Sequence, residues 1–265
     1  MAIYQSARTL YHHGLRRFAQ IRLRTSNAEP PQYHEGPIET SAPVHTAYVL
    51  LHAPRPPAEF PTKYNTRLSL ELAMRAKKWG ATVNFSWLDA QTALGATEER
   101  QSATVFSERG GRLEIPHVSL QNLNEVEAAI SEHVQRSAPT ELTPEEVHIY
   151  VCTHGARDCR CGERGKEVVE ALRRSVTDPR IKIGEVGHVG GHKWAANLLV
   201  FPQGEWLGLV KPEDVPSINS WATNALEQGA RPLRLSDPPS FPAHWRGRMG
   251  LSKEEQKDLL AKYQT

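Results

Sequence analysis

Two short stretches, far apart in the sequence, carry the residue types best suited to holding a metal. The first, Val151-Cys152-Thr153-His154-Gly155-Ala156-Arg157-Asp158-Cys159-Arg160-Cys161-Gly162, contains all three cysteines of the chain. The second, Gly187-His188-Val189-Gly190-Gly191-His192-Lys193-Trp194, separates two histidines by three residues, two of them glycine. Two thiolates and two neutral imidazoles make a four-donor set for a zinc ion or a small iron–sulfur cluster. Thiolate is the soft ligand that sulfide-bridged iron prefers, and imidazole can replace it at one iron. Gly190 and Gly191 permit a tight loop that turns both rings toward one centre.

Such residues act together only if the fold delivers them to one place. Residues 147–151 form an apolar strand that ends at Cys152, followed by a loop over 153–162 and a helix over 163–175 with Val168, Val169 and Leu172 inward. A second strand, 182–186, ends just before His188. Residues 197–201 and 205–210 flank Pro202-Gln203-Gly204 as a hairpin, and 212–226 is a closing helix. Strand, helix, strand, hairpin, helix is a thioredoxin-like order, in which the two loops leave neighbouring strand ends. Upstream, a strand at 45–52, a helix at 67–79, a strand at 82–88, a hairpin around Gly110-Gly111 and a helix at 124–135 predict a smaller α/β unit that could itself be thioredoxin-like. Its histidines (His34, His45, His52, His117, His133) are scattered singly and read as hydrogen-bonded structural residues.

The motif Cys-Thr-His-Gly-x-Arg-Asp-x-Arg-Cys-Gly, followed by His-Val-Gly-Gly-His-Lys-x-Ala-x-Asn, resembles the sucrase/ferredoxin-like family. The resemblance covers 147–229 well and 44–135 more loosely. It implies a thioredoxin-like ferredoxin with a 2Fe–2S cluster on two cysteines and two histidines, here Cys152, Cys161, His188 and His192. Cys159 occupies a variable position of the motif, so three thiols stand near two places. It reads as a bystander, a redox-active thiol or an exchanging ligand. His154 is a candidate accessory donor. Structural zinc remains the alternative cofactor, although its cysteines usually lie two to four residues apart and eight residues separate Cys152 from Cys161. A thiol–disulfide enzyme using Cys159 and Cys161 is a third reading. Arg157, Arg160, Arg164 and Lys193 form either a docking rim for an acidic redox partner protein or a solvated charged rim.

With 39% hydrophobic residues the chain is globular in composition, and no apolar run approaches the ~18 residues of a membrane span. Residues 1–24 hold five arginines and no acid; removing those five of the 32 Lys and Arg leaves 27 against 30 Asp and Glu. A mildly acidic body offers no nucleic-acid groove. Ile3, Ala7, Leu10, Gly14, Phe18 and Ile21 recur at helical spacing, with most of the arginines on the other side, the pattern of a mitochondrial transit peptide. That leader resembles the mitochondrial, altered-inheritance-of-mitochondria branch of the family, and implies a matrix location. The expected division is 1–43 targeting segment and Pro-rich linker, 44–140 N-terminal α/β unit, 141–230 ferredoxin domain, and 231–265 an extended arm with a short helix. No nucleophile elbow or paired-carboxylate site is present, so one-electron transfer or redox sensing is expected, with no substrate chemistry assigned.

Overall fold

Strand β1 (Ala47–His52) is buried along its whole length, as a strand with a parallel neighbour and covered faces must be. The computed structural model describes residues 32, 33, 36, 38–136 and 146–263. The Arg-rich leader, His34, much of the Pro-rich linker and the 137–145 connection lie outside them. After β1 come α1 (Arg67–Ala76), β2 (Ala81–Trp87), β3 (Arg100–Ser107), β4 (Gly111–Ser119) and α2 (Leu123–Gln135). Thr66 opens α1 with a capping box, accepting from the Ser69 amide while Ser69 accepts from the Thr66 amide. The second half repeats the order with β5 (Val147–Cys152), α3 (Cys159–Ser175), β6 (Ile181–Val186), β7 (Leu198–Phe201), β8 (Glu205–Leu207) and α4 (Val215–Glu227). Strand β9 (Trp245–Arg248) and helix α5 (Lys253–Tyr263) end the described chain.

The nine strands among the described residues share one sheet, in the order β4-β3-β1-β2-β6-β5-β7-β8-β9. In each half the first two strands are parallel and the third lies antiparallel beside the first. This is the thioredoxin-like order, present twice. The halves join edge to edge where β2 and β6 run antiparallel, Ser86 opposite Val186 and Trp87 opposite Glu185.

Alternation along the strands sorts their side chains into layers. Val147, Ile149 and Val151 pack with Val168, Val169 and Leu172 of α3, and Val49 and Leu51 pack with Leu68 and Leu72 of α1. The intervening Tyr48, Leu50, Tyr150 and Cys152 join Phe106, Phe201 and Trp206 in a third, largely aromatic layer. Within it Phe106 of β3 stacks on Phe201 of β7 at 4.4 Å, although four strands lie between them in the sheet. The sheet therefore curls until one face closes on itself, and Cys152 sits in that face.

Two elements differ from the sequence reading. Helix α3 begins at Cys159 rather than at 163, because the Asp158 carboxylate accepts from the Arg160 amide and caps it. The capping residue was hidden inside the cysteine motif. The Pro-rich arm also ends in a strand: β9 extends the sheet, with Glu205 opposite Arg248. Fully buried Arg248 ties the arm down by pairing with Glu205 and donating to the carbonyls of Arg234, Asp237 and Pro238.

The buried histidines make stability depend on pH. His45 Nδ1 donates to the Pro43 carbonyl and its Nε2 accepts from the Trp206 indole, so the ring is neutral. His52 bonds Thr104 and Ser86. Burial pushes both down to about 4, against ~6.5 in an unfolded chain. The unfolded state then binds more protons between those values, so this stability is complete above ~6.5 and is lost as pH falls toward 4. The unfolding free energy from urea titrations should drop between about pH 7.5 and 5, by on the order of 2 kcal/mol per histidine. His52→Gln should shrink the drop; an unchanged pH slope would contradict the assignment.

Candidate metal centre

Helix α3 places Cys161 in its first turn, against the end of β5 where Cys152 sits. Gly165, one turn further on, permits this approach: a β-carbon there would collide with the Cys152 carbonyl oxygen. From the other side, the loop after β6 carries His188 over the same spot. The two sulfurs and a ring nitrogen of His188 lie within 4.8 Å of one another, with Cys161 Sγ 3.8 Å from His188 Nδ1. His192 stands at the edge of this group. Its ring centroid is 5.7 Å from that of His188 and the planes are inclined by 28°. Its side chain is 46% exposed, and its Nδ1 lies 3.7 Å from Asp158 Oδ2. Three of the four expected donors thus converge, and the fourth is on the same loop beside them.

Sequence reading missed what holds that loop. Arg246, on β9 and almost fully buried, donates to the Gly190 carbonyl at 3.2 Å and to Asn197 Oδ1 at 2.8 Å. Asn197 Nδ2 in turn donates to the Gly191 carbonyl. The guanidinium also lies over the rings of Trp194 and Trp206, at 4.8 and 5.6 Å. Gly191 is constrained twice: its φ of +69° is left-handed, and a side chain there would strike Arg246 and Trp194. The only sequence signal for Arg246 was a basic residue in an otherwise compact Trp-Arg-Gly-Arg run near the C-terminus.

The electrostatics favour a thiolate. The Cys161 thiol donates to Cys152, and with His188 and the Val189 amide it holds Cys152 well below the ordinary thiol value despite burial. Cys161 is pushed up, because the hydrogen bond to Cys152, burial and the Cys152 charge all favour keeping its proton. Such a pair titrates as a unit. Burial lowers Arg246 to about 10, partly offset by the attraction of the two cysteines, so a positive charge persists near the sulfurs at neutral pH.

The remaining candidates have other neighbours. Cys159 is exposed and, two positions from Cys161, faces another side of the helix. His154 is buried, with Nε2 2.9 Å from the Pro61 carbonyl and its ring edge-on to Phe60, so it ties the cysteine loop to the N-terminal half. Arg160 grips Asp158, Arg164 lies over the Tyr33 ring and Lys193 lies over Trp194.

Two buried thiols that share a proton, beside an imidazole, are a donor set matched to a thiophilic ion or an iron–sulfur cluster, whose binding displaces that proton. Among the described residues no other three Cys, His, Asp or Glu ligand atoms converge in this way. Arg246→Gln should leave the Gly190 carbonyl and Asn197 short of a buried donor, at a cost of about 2–4 kcal/mol. A lower urea midpoint and less than half the metal per chain are expected; unchanged values of both would show that Arg246 does not hold the loop.

Comparison with known proteins agrees with the motif. The sequence model of the family described as sucrase/ferredoxin-like matches residues 38–231. Altered inheritance of mitochondria protein 32 of Meyerozyma guilliermondii is 42% identical over 77 residues, covering 26% of this chain and 27% of that protein. Actin patches distal protein 1 of Saccharomyces cerevisiae is 35% identical over 111 residues, covering 34% of this chain and 35% of that protein. The chain thus spans about a third or less of the length of these relatives. A solved thioredoxin-like [2Fe-2S] ferredoxin from Aquifex aeolicus is 26% identical and covers 37% of this chain and 98% of that one. Its TM-score is 0.28. The family match extends over well more than half of the 265 residues, and the chain belongs to the sucrase/ferredoxin-like family.

Proposed function

We propose that the chain holds a 2Fe–2S cluster on Cys152, Cys161, His188 and His192 and carries single electrons, or senses redox state, in mitochondria. The observation that supports this most is the convergence of Cys152, Cys161 and His188 within 4.8 Å, with His192 next in line on a loop fixed by Arg246. When bound, such a cluster takes up and returns one electron, at a potential above the ~−400 mV of all-cysteine plant-type clusters. The chain's own contribution is placement and charge. Cys152 and Cys161 are sealed from water, whereas His192 is half exposed and marks the edge at which a redox partner protein would approach. Its Nδ1 faces Asp158, which leaves the other ring nitrogen for the metal, a carboxylate–histidine arrangement that fixes ring orientation. Structural zinc is the second reading, favoured by three donors close enough together for one ion.

The mitochondrial reading, with the matrix as destination, draws on the Arg-rich start and on relatives named for mitochondrial inheritance. Residues 1–30 fused to a fluorescent protein should enter mitochondria; a cytosolic fusion would contradict it. Anaerobically purified protein should be brown with two irons per chain, and a colourless protein with one zinc would select the second reading. His192→Cys should lower the midpoint potential by on the order of 100 mV and flatten its pH dependence. An unchanged midpoint would remove His192 from the ligand set.

A further inference from the structure

A cavity of about 490 Å³ opens beside the metal centre, bounded by α1, β2 and the 187–189 stretch. That volume is in the range of small-molecule sites. Its charge is one-sided: Lys63 and Arg157 line it, and no described aspartate or glutamate does. Neither cation has an ion-pair partner among the described residues. By contrast Arg160, Arg164 and Lys193 nearby are each engaged with a carboxylate or a ring. Two exposed cations lining a concavity, with no counter-charge among the described residues, attract an anion, and low-dielectric walls strengthen that attraction.

The aromatic part of the lining supplies a different preference. Phe60 stacks on Tyr64 at 3.9 Å, and Phe85 meets Tyr64 at 4.7 Å in a tilted contact, so the lining holds an aromatic cluster in which Tyr64 is the half-exposed ring and Phe60 and Phe85 are buried behind it. Flat aromatic ligands gain most from such a cluster. The Tyr48 hydroxyl, also in the lining, accepts from the Asn84 amide at 3.1 Å, which leaves its own hydrogen for a ligand oxygen. His188 completes the lining, so an occupant would lie against the metal centre.

We infer that this cavity binds a small aromatic anion, one or two fused rings bearing a carboxylate or phosphate. The ring packs against the Tyr64 side of the Phe60–Tyr64–Phe85 cluster and the anionic group is held by Lys63 and Arg157. The inference does not depend on which metal the cysteines and histidines hold. It is tested on the full-length, metal-loaded protein by calorimetry with three probes: 2-naphthoate, the neutral 2-naphthylmethanol and inorganic phosphate. Naphthoate should bind at one per chain, more weakly as salt rises, and at least tenfold more tightly than either other probe. The paired exposed substitutions Lys63→Gln and Arg157→Gln should weaken naphthoate at least tenfold while leaving thermal unfolding unchanged. Ala73→Trp, at a half-buried position on the α1 side of the lining, should abolish binding by filling the space. Absence of saturable binding, equal affinity for the neutral probe or for phosphate, or full affinity in the paired variant would overturn the inference.

Discussion

Two parallel neighbouring strands end on the same side of a sheet, and the site follows from that. Cys152, the last residue of β5, is the register partner of Val186, the last residue of β6. Whatever follows each strand must therefore emerge side by side. After β5 the chain turns into α3 and brings Cys161 back over the strand end; after β6 it reaches His188 at the same rim, then turns through two left-handed glycines that bring His192 beside it. Thirty-odd residues of sequence separation become a few ångströms because the crossover helix returns the second strand parallel to the first.

The repeat in the fold sharpens the point. In the first half, His52 closes β1 as Cys152 closes β5, and its register partner is Ser86 near the end of β2. There the strand end is satisfied by hydrogen bonds from and to Ser86 and Thr104, with no thiol nearby. One architecture thus carries a donor set in one half and a closed polar network in the other. The N-terminal half contributes otherwise, by walling the cavity beside His188, by fixing His154 through Pro61, and by supplying Tyr48 and Phe106 to the aromatic layer beneath Cys152.

Much of this could be read in the residues, and the rest fails for identifiable reasons. The apolar runs of β1, β5 and β6 and the inward valines of α3 are local patterns, and they appear where the spacing placed them. The Gly190-Gly191 pair announced its turn. The start of α3 was obscured because Asp158 looks like a metal-motif residue while acting as a helix cap. Strand β9 was obscured by the prolines before it. Arg246 reaches the Gly190 carbonyl from fifty-six positions away, and the Phe106–Phe201 stack that curls the sheet spans an even longer separation. Neither has a periodicity to betray it. They are consequences of how elements pack, which short-range patterns do not encode.

The proposed redox centre takes two sulfurs from the end of β5 and the first turn of α3, and two imidazole nitrogens from the stretch after β6. Its most direct test is the nitrogen hyperfine spectrum of the reduced protein grown with ¹⁵N-histidine as the sole labelled residue. Two resolved ¹⁵N couplings are predicted, one of which disappears when His192 is replaced. A spectrum with no histidine coupling, from a centre held by sulfur alone, would contradict the account.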